Sequence, residues 1–293
     1  MIKIACIVHV YYPDLWPGLA DCIRNVLGAR CDLFVTGSDE SVARIVRADF
    51  PQAEFIRCEN VGFDVWPFLK VLGGIDLSAY DLVLKLHTKR DVPPEPRIVF
   101  NGMDRTGAVW RNELLSFVRT PEAWRVALGR MSEPGVAAVA GVSCILRRND
   151  VPMNVTRRSF DRALALAHAM GVHPVRPQFV GGTMFLARAE LLAPLRGRWR
   201  AEDFSTPADH GSSTLSHDIE RLMGFCLSVP RWRIVDPDGA LPAYRRRVAL
   251  RNAMNGIARF FWQVKDTHGG RRMFKLLRIP VWMAKRPMME DKS

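Results

Sequence analysis

Glu54-Phe55-Ile56-Arg57-Cys58, followed by Glu59-Asn60-Val61-Gly62-Phe63-Asp64 and then Val65-Trp66-Pro67-Phe68-Leu69, is the run on which the fold is decided. Its first five residues are β-prone, the middle carries a turn glycine, and the last part opens a helical pattern over 64–72 that Asp64 can cap and Gly73-Gly74 can stop. Strand, turn and helix in that order recur on both sides. Ile2–Val10, Cys31–Thr36 and Leu82–Leu86 are further strand-like runs, and Asp14–Leu27 and Ser38–Asp49 are helical patterns between them, the second with Ser38 as its cap. Such alternation predicts parallel strands joined by helical crossovers, an open α/β sheet of Rossmann type. Farther on, Gly107–Val118, Pro121–Met131, Ser159–Met170 and Ser213–Phe225 read as helical. Val136–Ala140, Phe179–Ala187 and Trp232–Val235 read as strands, and Pro93-Pro94-Glu95-Pro96 as a surface loop.

Composition narrows the class. A hydrophobic fraction of 48% with 25% charged residues is that of a globular protein, which sets disorder aside. No run approaches the ~18–20 apolar residues of a membrane-spanning helix. Ile2–Val10 is short, contains Lys3 and His9, and reads as a first strand rather than a signal peptide. Six cysteines without a C-x-x-C pair suit neither a zinc site nor a disulfide framework, so a reducing cytoplasm is expected.

The net charge of +12 is unevenly placed: thirteen Lys and Arg against three acids lie from Tyr244 onward, leaving only +2 for the rest. A nucleic-acid binder spreads positive charge over a folded face, so nucleic acid is not the expected partner. The division is therefore 1–243 as the chemical domain and 244–293 as a basic tail. In the tail, Leu250, Met254, Ile257, Phe261 and Val264 fall on one helical stripe. A second basic-aromatic stretch follows Gly269-Gly270 through Phe274 and Trp282. Both suggest amphipathic helices lying on an anionic membrane surface.

Four clusters could carry chemistry. In Glu59–Asp64, Asn60 and Asp64 flank Gly62 at the carboxyl end of a strand, where open α/β sheets bind ligands. In Lys85-Leu86-His87-Thr88-Lys89-Arg90, the residues Lys85, His87 and Lys89 alternate and share a strand face. Three potentially cationic groups at a sheet edge suit a diphosphate, and could neutralise it as a leaving group where other enzymes use a metal held by Asp-x-Asp. Gly181-Gly182-Thr183-Met184-Phe185 permits close backbone approach. On the helix around Ser213–Arg221, His217, Glu220 and Arg221 share a face, and a carboxylate there could act as general base. Walker, G-x-G-x-x-G, H-E-x-x-H and G-x-S-x-G motifs are absent from the sequence.

Taken together, His9-Val10-Tyr11-Tyr12-Pro13-Asp14-Leu15, Glu59-Asn60-x-Gly62-x-Asp64-x-x-Pro67-Phe68-Leu69, Tyr80-Asp81-x-Val83-Leu84-Lys85-x-His87-Thr88-Lys89, Gly182-Thr183-Met184-Phe185 and Thr214-Leu215-x-His217-x-x-Glu220-Arg221 resemble the rhamnan synthesis protein F family over roughly residues 1–225. Two departures are visible: Val61 and Phe63 stand where the family usually has arginines, and Ser212-Ser213 where it tends to have Asp-Gly. The resemblance implies a GT-A-like sheet with helices on both faces. It implies a glycosyltransferase that moves rhamnose or a related deoxyhexose from a nucleoside diphosphate (dTDP-rhamnose favoured) to a hydroxyl of a polysaccharide or lipid-linked glycan, by an inverting displacement. The basic tail, which the resemblance does not reach, would hold it at the cytoplasmic face of the plasma membrane. On that analogy His9, Tyr11, Thr36, Asn60, Gly62, Asp64, Lys85, His87 and Lys89 lie on the donor side. Trp110, Arg111, Gly182, Thr183, His217 and Arg221 lie on the acceptor side, and Asp209, Asp218 or Glu220 is the base. No cofactor is expected to be required. Mg or Mn is compatible with the chemistry, but no Asp-x-Asp stands at the expected position, and no metal ligand is assigned. A non-catalytic glycan- or nucleotide-binding protein on the same scaffold is the alternative, and a nucleic-acid binder using the tail a more remote one.

Overall fold

The computed structural model describes residues 2–27, 30–93, 99–100, 103–150, 154–204, 214–266, 271–276 and 279–285. These fall into two compact units, Met1–Leu241 and Pro242–Ser293.

In the first unit β1 (Lys3–His9), α1 (Trp16–Val26), β2 (Arg30–Gly37), α2 (Glu40–Asp49), β3 (Glu54–Arg57), α3 (Val65–Gly74) and β4 (Leu82–His87) alternate as the sequence predicts. A short pair, β5 (Val99–Phe100) and β6 (Met103–Asp104), leads into α4 (Val109–Leu114), α5 (Pro121–Met131) and β7 (Val136–Val139). Then come β8 (Ile145–Leu146), α6 (Asn154–Ala169), β9 (Phe179–Val180), β10 (Phe185–Arg188), α7 (Leu215–Cys226) and β11 (Arg233–Val235). Seven strands form one sheet in the order β11-β7-β10-β4-β1-β2-β3. It is parallel except for β10, which runs antiparallel to both β4 and β7.

The chain lays β1, β2 and β3 outward in one direction and then returns to place β4 on the other side of β1. That reversal leaves a crevice at the carboxyl ends of β1 and β4, the place where such sheets bind ligands. His9 and His87, the last residues of the two strands, are paired in register there. Helices flank the sheet: α1 packs with α5, and α3 with α7. The apolar spacing in α1 explains its seat, since Trp16, Leu19, Ala20, Ile23 and Val26 recur every three or four residues and are all buried.

Several local expectations are corrected. Asp39, not Ser38, caps α2, accepting hydrogen bonds from the backbone of Ser41 and Val42. Asp64 stands at the start of α3 without capping it, because its carboxylate is engaged elsewhere. Phe179–Ala187 is not one strand. Gly182 at φ 80° and Thr183 at φ 52° bend the chain between β9 and β10, which belong to different sheets. The Pro-rich segment at 94–96 lies outside the described residues.

The second unit continues α8 (Leu241–Phe261) into a three-stranded antiparallel meander, β12 (Trp262–Asp266), β13 (Arg271–Leu276) and β14 (Ile279–Lys285). The expected second helix through Phe274 and Trp282 is thus replaced by strands, and Val264 lies in β12 rather than on the helical stripe. Two β-prone runs on either side of Thr267-His268-Gly269-Gly270 are a hairpin pattern, which a helical stripe count overlooks. Of the stripe, Leu250, Met254 and Ile257 lie on α8 and are exposed.

Candidate functional site

β4 is buried from end to end, as befits a strand at the middle of a mostly parallel sheet, yet its apolar run is interrupted at Lys85 and His87. Burying an ammonium without a partner costs several kcal/mol, so Lys85, 1% exposed, must be matched. Its Nζ donates to Asp64 Oδ2 at 2.5 Å and to Thr183 Oγ1 at 2.6 Å, and the Thr183 hydroxyl donates in turn to the same carboxylate oxygen. Residues 21 and 98 positions away in the chain thus close a triangle beneath the crevice.

Both partners are delivered by unusual backbone. Gly62 (φ 65°) and Phe63 (φ 55°) precede Asp64, and Gly182 (φ 80°) precedes Thr183 (φ 52°). An aromatic and a β-branched residue in the left-handed region each cost on the order of 1–3 kcal/mol, and persist only where the surroundings over-determine them. The two glycines are required for space as well. A Cβ on Gly62 would come within 2.7 Å of the Phe204 ring, and one on Gly182 within 2.7 Å of Leu114 and 2.8 Å of Trp110. Glu220 Oε1 accepts from Gly182 N at 2.7 Å while Arg221 Nη1 sits 3.2 Å from its other oxygen, so α7 holds the second turn in place.

These contacts set the charges. Burial pushes the Asp64 carboxyl up, but the neighbouring His87 and Lys85 and the hydrogen bonds from Lys85 and Thr183 outweigh it and hold the group far below the usual carboxylate range. Burial lowers Lys85, opposed by Asp64. Burial, reinforced by Lys85 and Lys89, lowers His87 to about 3 in spite of Asp64, so the imidazole is neutral at neutral pH and the pair that matters is Lys85–Asp64. Of the three potentially cationic groups, Lys85 is matched, His87 is neutral, and Lys89 alone is a cation without a carboxylate partner among the described residues. His87 Nδ1 lies 3.6 Å from Asp64 Oδ2 and is buried without a hydrogen-bond partner among the described residues. Burial lowers His9 to about 4. The Thr36 hydroxyl donates to Val8 O at 3.3 Å, so the 3.0 Å contact between His9 Nδ1 and Thr36 Oγ1 has the imidazole as donor. Nε2 is left as an acceptor.

A cleft of about 190 Å³ opens over this network, lined by His9, Tyr11, Asn60, Phe63, Asp64 and Lys89 with His87 and Thr88. Donor-side residues from three stretches of the chain thus converge, with Thr36 bonded to His9 behind them. Tyr11 is 44% exposed and edge-packed on Tyr12 at 4.6 Å, offering a ring face at the cleft. On the other side His217 is edge-on to Phe63 at 6.1 Å and bonded to Thr214 at 2.8 Å. The Arg105 guanidinium stacks on Trp110 at 3.9 Å, and Arg111 is paired with Asp91 at 2.7 Å.

The three base candidates part company. Asp218 is bound by Ser159 Oγ and by Arg162 at 2.8 and 2.9 Å, so it ties α7 to α6. Glu220 holds the Gly182 turn. Asp209 lies outside the described residues. Thr88, to which the sequence pattern assigns no role, also matters: its Oγ1 accepts from Tyr11 N at 3.0 Å and Tyr12 N at 2.9 Å, pinning the loop after β1 to the end of β4. A hydroxyl immediately after a buried strand was the available signal. Among the described residues no group of three His, Cys, Asp or Glu is placed to hold a metal.

Comparison with known proteins agrees with this arrangement of blocks. The family model for rhamnan synthesis protein F matches residues 1–229. The uncharacterized protein WxcX of Xanthomonas campestris pv. campestris is similar, 27% identical over 247 residues covering 81% of this chain. The WxcX of a second strain is 26% identical over the same length. The chain spans about a third (33%) of the length of these relatives. With the model spanning the whole seven-stranded unit but its last strand, the chain belongs to the rhamnan synthesis protein F family.

Proposed function

We propose that this protein is a glycosyltransferase of polysaccharide assembly. It transfers a sugar, with rhamnose or a related deoxyhexose favoured, from a nucleoside diphosphate to a hydroxyl of a cell-surface or lipid-linked glycan. The observation that carries the reading is the unpartnered, buried His87 Nδ1 beside the Asp64–Lys85–Thr183 triangle, at the floor of a cleft at the switch point of the sheet. A buried ring nitrogen without a protein partner is completed in native proteins by a ligand or by water, and its place beside two strained turns at a cleft favours a ligand. The β3-β2-β1-β4 order followed by antiparallel β10 supports the GT-A-like reading.

Within it, each residue has a task. Asn60 and the free edge of Asp64 meet hydroxyls of the donor, Tyr11 offers a stacking face, and Lys89 faces the charge that develops on the leaving diphosphate. The triangle beneath them is a rigid floor, since its charge is internally balanced. An inverting displacement needs a base at the acceptor oxygen, and with Asp218 and Glu220 engaged, Asp209 is assigned that role. The C-terminal unit is assigned to the anionic inner face of the plasma membrane. Leu250, Met254 and Ile257 are 60–63% exposed on a helix within a segment carrying a net +10, and apolar area plus basic charge is what interfacial binding uses. No helix among the described residues is long and apolar enough to cross a membrane.

The test is a thermal-shift screen against dTDP, UDP, GDP and CMP compounds with and without EDTA, followed by a transfer assay with the stabilising donor. A ligand of the native state must raise the melting temperature. Stabilisation by one nucleoside diphosphate together with transfer is expected. Binding without transfer or donor hydrolysis would favour a non-catalytic binding protein, and no shift with any donor would remove the donor site.

A further inference from the structure

His87, Thr88 and Lys89 line a second space besides the donor cleft: a groove of about 420 Å³ on the other side of that ridge, between the start of α1 and the end of α4. Leu15, Pro17 and Leu19 give it an apolar wall. Its charges decide what it can take. Asp14 is met by Arg90 at 3.4 Å and Asp21 by Arg24 at 2.5 Å, an arginine it shares with Asp49 at 2.7 Å; both arginines lie outside the lining, while Arg111 is matched by Asp91 at 2.7 Å, also outside it. Lys89 and Arg119 have no carboxylate partner among the described residues, and Arg119 donates only to the neutral Asn112. The groove therefore has two cations without a carboxylate partner among the described residues, Lys89 near Thr88 on one side and Arg119 on the other, against the partly offset Asp21, together with an apolar wall and His87 at its edge with the donor cleft.

We propose that this groove is a second ligand site, separate from the donor cleft, which takes a sugar phosphate. On the glycosyltransferase reading, on which the role but not the binding depends, its ligand is the phosphorylated end of the acceptor. An ammonium and a guanidinium hold a phosphate, the guanidinium in bidentate fashion, and the apolar wall receives a sugar face. The ridge His87–Lys89 separates the two ligands and is shared by both.

The experiment measures binding of glucose 1-phosphate, inorganic phosphate and glucose to the full chain, alone and with the donor cleft saturated by whichever nucleotide stabilises the protein. Arg119 is exposed, so Arg119→Glu reverses the charge without disturbing the core, and Arg119→Lys keeps it. Arg125→Glu, on the outer face of α5 and 72% exposed, is the control for a change in overall charge. Glucose 1-phosphate should bind wild type with nucleotide present, more tightly than inorganic phosphate. Its affinity should fall about tenfold or more in Arg119→Glu and only about two- to threefold in Arg119→Lys, with the control unchanged. No binding by wild type up to ~10 mM, equal binding by Arg119→Glu, an equal loss in Arg125→Glu, or displacement of glucose 1-phosphate by the nucleotide would each overturn the second site. Glucose binding as tightly as its phosphate would overturn the anionic part. Absence of any stabilising nucleotide would count against the donor reading alone, because the sugar-phosphate arms run without it.

Discussion

Replacing Asp64 by Asn keeps the size of the side chain and removes the charge that matches Lys85. The ammonium is 1% exposed and is then left with neutral acceptors alone, the amide oxygen of the new side chain and the Thr183 hydroxyl. Breaking a buried ion pair by deleting one partner costs about 3–5 kcal/mol. Asp64 itself is 20% exposed, which places the expectation at the lower end, about 3 kcal/mol. For a unit of this size that is a fall in melting temperature of roughly 6–12 °C. Lys85 in the variant has a folded pKa depressed further below its unfolded value, so the unfolded chain binds the extra proton. The penalty is then full at low pH and is relieved as pH rises through the folded pKa, making stability climb with alkalinity. Urea titrations of wild type, Asp64→Asn and Asp64→Asn/Lys85→Met at two pH values test this. The double variant removes the buried charge and should recover most of the loss. An Asp64→Asn protein as stable as wild type, or a double variant no more stable than the single one, would refute the view that a matched buried charge holds the site floor.

Four further outcomes are expected. Gly182→Ala should destabilise by about 1–3 kcal/mol in thermal denaturation, because φ 80° strains any Cβ and Leu114 and Trp110 already occupy its place. His9 and His87 have folded pKa values lowered to about 4 and about 3, so the unfolded chain takes up protons first as pH falls below 6.5; their contribution is present above that value and lost toward the folded ones. His87→Gln should therefore flatten the stability–pH curve between pH 6.5 and about 3 relative to wild type, as measured by urea midpoints. Asp209→Asn should abolish sugar transfer while leaving the nucleotide-induced thermal shift in place, and loss of both would detach Asp209 from the proposed base role. In the full chain, Leu250→Glu with Ile257→Glu should weaken binding to vesicles containing anionic lipid about tenfold or more in a flotation assay, and unchanged flotation would remove the membrane assignment.

How much of this was readable in the residues can be traced element by element. The alternation through Leu82–Leu86 depends on local periodicity, and each strand and helix of that half stands where the pattern puts it, within a few residues at the ends. The order of the five blocks is likewise linear information, and the resemblance read from it agrees with the family matched over residues 1–229. Asp39 displaced Ser38 as a cap because neighbouring capping residues compete, and only the backbone geometry chooses between them. Phe179–Ala187 looked continuous because both halves are apolar; the left-handed turn at Gly182-Thr183 sends them into different sheets. The tail misled for a related reason. Short apolar runs fit helix and strand about equally well, and the meander needs partners that a single-run count does not see.

The sequence by itself determined that an open α/β sheet would form, which chain segments would stand at its carboxyl edge, and that positive charge would collect after Tyr244, since these follow from spacing and composition along one dimension. Only the tertiary structure decided what the charged residues at that edge are. Lys85 reads as a free cation until Asp64 and Thr183, far off in the chain, are brought within hydrogen-bonding distance of it. His87 reads as a titrating imidazole until burial makes it neutral. Charge state depends on solvent exclusion and on the distance to opposite charge, and both are properties of the packed molecule.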